Sequence, residues 1–152
     1  LIGLVLALAV QSAPPYVQYS EKASSLARMT FATGACQQLR YEVDADAGRD
    51  LVSAFIDQAA IDLVGSDFAE RMYLSALDDE RAEIDRLING VVGEAASREE
   101  QRMRSMADLF VTRCAGAAQE YPSVVIASGD EDRSGPELIR RIQAEALASP
   151  AD

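Results

Sequence analysis

The sequence contains no histidine. That absence removes the usual general base near neutral pH and the commonest metal ligand. It excludes Ser-His-Asp and Cys-His catalysis, His-containing zinc sites and the Glu-x-x-His ligation of di-iron bundles. Tryptophan is also absent, and only 6% of the residues are aromatic, so the rings that line a sugar cleft are scarce. Lysine occurs once, as Lys22 beside Glu21, on what reads as a solvated helix start. Basic runs do not extend beyond Arg140-Arg141, and the net charge is −11. Such a surface repels nucleic acid and anionic headgroups, and a partner chosen by charge should be basic. The sequence has no apolar run of the roughly 20 residues that a bilayer-spanning helix needs. Thr33-Gly34 and Gly90-Val91-Val92-Gly93 lack the strand–loop–helix context of a phosphate-binding glycine loop.

The 152 residues suffice for one domain with its own core. Alanine, leucine, arginine, glutamate and aspartate dominate, a balance that favours helices. Leu1–Val10 is an uncharged apolar run of signal-peptide length, followed by the small residues of Gln11-Ser12-Ala13. We expect residues 1–13 to be a signal peptide and the mature chain to be periplasmic or extracellular, with no stable membrane span after cleavage. A buried N-terminal helix and a retained anchor are the alternatives. No cysteine follows the run, which disfavours lipoprotein anchoring.

Hydrophobic periodicity predicts an all-α domain of about four principal helices. Residues 14–20 read as an extended leader because of Pro14-Pro15. A first helix over 21–41 carries Met29, Ala32, Cys36, Leu39 and Val43 on one face. A second over 45–64 starts at an acidic cap, Asp44 or Asp46, and buries Val52, Phe55, Ile56, Ala59 and Leu63. A third over 67–89 opens on an Asp67/Glu70 capping box, turns Phe68, Leu74, Leu77, Ile84, Leu87 and Ile88 inward, and stops at Asn89-Gly90. A fourth over 97–121 opens on Ser97/Glu100, carries Met103, Met106, Phe110, Cys114, Ala117 and Tyr121, and stops at Pro122. Residues 21–122 therefore read as the helical domain. The β-like run 123–127 has no evident partner strand. A loosely attached C-terminal helix starts at Ser134/Glu137, with Leu138, Ile139 and Ile142 on one face; these three are the candidate partner-binding residues.

Two acidic clusters invite a site. From Asp44, an EF-hand count places Arg49 where glycine belongs and Phe55 where glutamate belongs, so calcium is rejected. Within Asp78–Asp85, the spacings Asp78–Arg81, Arg81–Asp85 and Glu83–Arg86 are those of helix-surface ion pairs. Asp57, Asp62 and Glu94 are the only acids near an apolar face, so they would have to carry a carboxylate-dependent hydrolase. We expect no cofactor and no metal.

The two cysteines, Cys36 and Cys114, lie on buried stripes of long helices, and an exported chain would join them. The apolar leader, the two helix-borne cysteines and the lack of catalytic motifs together resemble small exported bacterial proteins of the HdeA-type acid-stress chaperone and Tai-type immunity kinds. The likeness covers the architecture of the middle of the chain and implies a non-enzymatic protein that acts by protein binding in the cell envelope. The alternative is a carboxylate-dependent hydrolase, for example one that cleaves glycosides.

Overall fold

The computed structural model describes residues 15–90 and 95–149. The proposed signal peptide, the connection at 91–94 and Glu94 as a candidate acid fall outside them. Five helices and one minimal strand pair follow in order: α1 (Pro15–Cys36), β1 (Glu42–Val43), α2 (Ala45–Ile61), α3 (Ser66–Asn89), α4 (Ala95–Glu120), β2 (Val125–Ile126) and α5 (Gly135–Ala148). The class is all-α.

The molecule is organised around α1. It packs along α3 and α4 and is crossed by α2, while α5 lies on α4. Tyr19, Ala23, Leu26, Met29, Ala32 and Cys36 recur every three to four residues and are all buried. The small residues let neighbouring helices approach. Leu26 and Met29 fill the space between them, each worth about 2 kcal/mol of apolar burial. On α4, Ala107, Val111, Cys114 and Ala117 continue the same core, and Cys36 and Cys114 are joined across the two helices with Cα atoms 5.6 Å apart.

Several boundaries differ from the sequence reading, each for a local reason. The stretch 14–20 is not an extended leader over its described part: Pro15 is the first residue of α1, a position where a missing N–H costs nothing. That helix also stops early, at Cys36, where Arg40 (φ 66°) enters the left-handed region and Tyr41 N–H bonds Cys36 O at 3.0 Å. Asp44 is the cap of α2, accepting from Ala47 N–H at 3.0 Å, while Asp46 pairs with Arg49 on the surface. The Asp67/Glu70 box is not used; α3 is capped at Gly65 without a side-chain bond. Likewise α4 begins at Ala95, and Ser97 accepts from Gln101 Nε2 instead of capping.

The buried face of α3 is rotated from the expected one. Ala69, Met72, Tyr73, Ala76 and Glu80 turn toward the core, whereas Leu74 and Leu87 are exposed. On α2, Phe55 and Ala59 are buried and Val52 and Ile56 partly so, but Leu63 lies outside.

The β-like run does have a partner. Ile126 faces Glu42 and Val125 faces Val43 in an antiparallel pair, extended by Asp44 N–H to Val124 O at 2.9 Å. This seats Val124 and Val125, both fully buried, over Gly48, whose added Cβ would lie 3.3 Å from Val124 Cγ1. Residue 122 is therefore no domain boundary, since Val124, Val125 and Leu138 belong to the same core.

The final helix is docked more firmly than a loose tail. Ser134 caps it by accepting from Glu137 N–H at 3.2 Å. Its first turn sits so close to α4 that a Cβ on Gly135 would fall 2.0 Å from Asp108 Oδ1. Arg141 holds Asp132 at 2.7 Å and Glu145 at 3.0 Å and donates to Gln38 O, tying α5 to the turn after α1.

Candidate functional site

The structure disperses the residues singled out for binding. Leu138 is in the core and Ile139 packs against it, so only Ile142 of the three stays exposed. The α5 face is used within the chain and does not offer a free docking helix. The disulfide cysteines are inaccessible, each 0% exposed.

The acids also find structural roles. Glu83 and Arg86 pair at 2.7 Å, but Arg81 comes within ion-pair distance of neither Asp78 nor Asp85. Glu80, expected on the solvated face, turns inward to Arg113 of α4 at 2.9 Å. That contact is Coulombic and poorly aligned: among the described residues, Glu80 Oε1 and Arg113 Nε have no hydrogen-bond partner. Asp57 is exposed on α2. No group of three described His, Cys, Asp or Glu side chains could hold a metal ion.

Lys22 and Ser25 of α1 meet Glu120 and Tyr121 of α4. Ser25 Oγ donates to Glu120 and lies 2.5 Å from Tyr121 Oη, while Lys22 Nζ is 3.4 Å from that oxygen and 5.1 Å from the ring centroid. A serine, a lysine and a tyrosine in contact resemble an activated nucleophile. But Ser25 sits mid-helix, where the backbone N–H groups are taken up by the helix, so α1 itself supplies no oxyanion donor there. The cluster bonds α1 to the end of α4.

The remaining surface feature is at the other end of α1. Tyr19 Oη donates to Asp62 Oδ2 at 2.5 Å, and Gln58 Nε2 donates to Asp62 Oδ1 at 2.9 Å. The Asp62 carboxylate, with burial secondary, pushes the Tyr19 hydroxyl up to about 12. The same bond, followed by that from Gln58, holds the Asp62 carboxyl below the usual range. Beside this pair runs a shallow groove of about 370 Å³ lined by Tyr19, Lys22, Leu51, Ala54, Phe55 and Asp62. Ile61 (72% exposed) and Leu63 (93%) flank the carboxylate, and Tyr16 (62%) projects from α1 with its ring 6.1 Å from that of Phe68. An ionised carboxylate with both oxygens bonded is thus framed by aliphatic side chains on a turn held by helix carbonyls. It can accept an apolar side chain and a cation together.

Two larger clefts are better satisfied internally. One of about 430 Å³ between α1, α2 and α3 presents Thr30 and Tyr73, which bond each other at 2.8 Å. One of about 560 Å³ between α4 and α5 is lined by charges of both signs, including Glu100, Arg104, Asp108 and Arg140. Among the described residues, no helix is long and apolar enough to cross a membrane.

No family model, no curated protein and no solved structure matches this chain.

Proposed function

We propose that the chain is a non-enzymatic binding protein of the cell envelope, chaperone-, inhibitor- or immunity-like, that holds another protein at the α2–α3 turn. One observation carries the reading. Ile61 and Leu63, 72% and 93% exposed, stand on either side of an ordered carboxylate and next to an apolar groove. Large aliphatics so exposed and so grouped mark an interaction surface more than a solvent-facing one. The net charge of −11 favours a basic partner, steered to Asp62 and the surrounding acidic surface. The buried disulfide is compatible with an oxidising compartment.

The test is affinity capture from an envelope extract with wild-type chain and with an Ile61→Asp/Leu63→Asp variant. Capture lost in the variant, with an unchanged circular dichroism spectrum and melting temperature, supports the reading. Capture unaffected by the two changes removes this surface. Hydrolytic turnover abolished by changing one acid would replace the reading with an enzyme.

A further inference from the structure

We propose that the apolar segment Leu1–Val10, while attached, folds back over the face formed by Tyr16, Val17, Ile61 and Leu63 and covers it, and that removing the segment opens the face. The consequence for partner binding rests on the function proposed above; the covering itself does not.

Placement is the first argument. The described chain begins at Pro15, and Tyr16 and Val17 are the first exposed apolar residues of α1. Tyr19, one turn further on, is bonded to Asp62, and Tyr16 stacks near Phe68. The chain therefore enters α1 at the α2–α3 turn, on the side of Ile61 and Leu63.

Chemistry is the second. Leu1–Val10 carries seven large aliphatics and no charge. Each loses roughly 1.5–3 kcal/mol if left in water instead of buried. The four face residues are uncharged, and the carboxylate among them, Asp62, is already bonded by Tyr19 and Gln58. An uncharged occupant also avoids the repulsion that a chain of net charge −11 exerts on anionic ones.

Reach is the third. The four residues Gln11–Pro14 span up to about 13 Å extended, and helix connections of two to eight residues commonly reverse direction. A linker this short holds the segment at an effective concentration in the millimolar range, well above that of a second copy.

The experiment compares chain 1–152 with chain 14–152. Every core residue lies between Tyr19 and Leu138, so the shorter chain keeps the whole core. With isoleucine and leucine methyls labelled, a soluble nitroxide reports exposure. Relaxation of the Ile61 and Leu63 methyls should fall several-fold in 1–152 relative to 14–152, independently of protein concentration, while Leu147 stays equally exposed in both. Leu4→Asp/Leu6→Asp/Leu8→Asp in 1–152 should restore exposure. Where millimolar samples of 1–152 aggregate, chymotryptic cutting after Leu63 at nanomolar concentration should be several-fold slower in 1–152.

Equal exposure in both chains overturns the covering, even if 14–152 captures a partner. Protection that grows with concentration assigns the face to a second copy, and protection that needs phosphatidylcholine vesicles assigns it to a bilayer; either overturns the proposal. Protection in 1–152 with no partner captured by 14–152 upholds the covering and removes the partner reading alone.

Discussion

Two helices of this domain end in the same way and reach opposite fates. After α1, Arg40 N–H bonds Gln37 O at 3.0 Å and Tyr41 N–H bonds Cys36 O at 3.0 Å, around a left-handed Arg40. After α2, Leu63 N–H bonds Ala60 O at 3.3 Å and Val64 N–H bonds Ala59 O at 2.9 Å, around a left-handed Leu63. Both are the glycine-type helix stop built without glycine. Yet Leu39 in the first turn is 2% exposed and Leu63 in the second is 93% exposed. The difference comes from what returns over the turn. The first is bonded from above by Asp132 N–H to Leu39 O, Ser128 Oγ to Arg40 O and Arg141 to Gln38 O, and is anchored below by the disulfide at Cys36. The second has its own helix carbonyls and the Tyr19–Asp62 bond. A leucine is buried by the segment that crosses it, which is why a surface left uncrossed is the place to look for a partner.

Removing the staple should have the largest effect. The disulfide closes a separation of 78 residues, and the chain-entropy model assigns such a loop about 4.5 kcal/mol. A Cys36→Ala/Cys114→Ala variant should lose up to that amount in urea unfolding, with the turn after α1 losing amide protection before the turn after α2. Arg141→Ala should come next. It breaks a mostly buried ion pair with Asp132 and leaves Gln38 O without its donor, a loss of roughly 2–3 kcal/mol, below the figure for fully buried pairs. Hydrogen exchange should localise that loss to 37–40 and 128–141.

Titration separates the two ends by sign. Glu131 is held to about 2 by its own backbone N–H, with Arg133 and the Gly129 N–H also lowering it against the opposing effect of burial. A depressed carboxyl contributes stability above its unfolded value, and the contribution is lost as pH falls through the folded one. The 128–133 loop should therefore loosen between about pH 4.5 and 2, and Glu131→Gln should remove that dependence. Tyr19 is raised to about 12, so its contribution is complete below pH 10 and lost as pH rises through 12. Amide exchange followed across pH should show the turn after α2 opening in alkali and the turn after α1 opening in acid. The smallest effect belongs to Leu63→Gly. It relieves a left-handed leucine and removes no buried contact, so stability should rise by about 1 kcal/mol or less.

Much of the fold was legible because α1, α2 and α4 carry one apolar stripe each, and a single stripe can face only one way. The cysteine pairing followed from Cys36 and Cys114 both lying on such stripes. On α3 the reading failed. Leucines and isoleucines outnumber the small residues there, but Ala69 and Ala76 are what let α3 approach α1, so size complementarity overrode hydrophobicity. The β1–β2 pair was illegible because two residues have no period. Arg141 read as a surface charge, and its inward bonds depend on a return of more than a hundred residues to Gln38. At the candidate site, Leu63 fitted the α2 stripe by spacing, and only its position past the last helical carbonyl, as the left-handed residue of the stop, turns it outward.

The most direct test of this contrast places a photo-crosslinking residue at position 63 in one chain and at position 147 in another. Leu63 and Leu147 are similarly exposed, at 93% and 89%, but Leu147 lies near the end of α5, away from the carboxylate and groove. In an envelope extract, position 63 should give one discrete protein adduct that competes away with unlabelled chain, and position 147 should give none. Equal adducts at both positions, or a discrete adduct at 147 alone, would contradict the assignment of binding to the open turn.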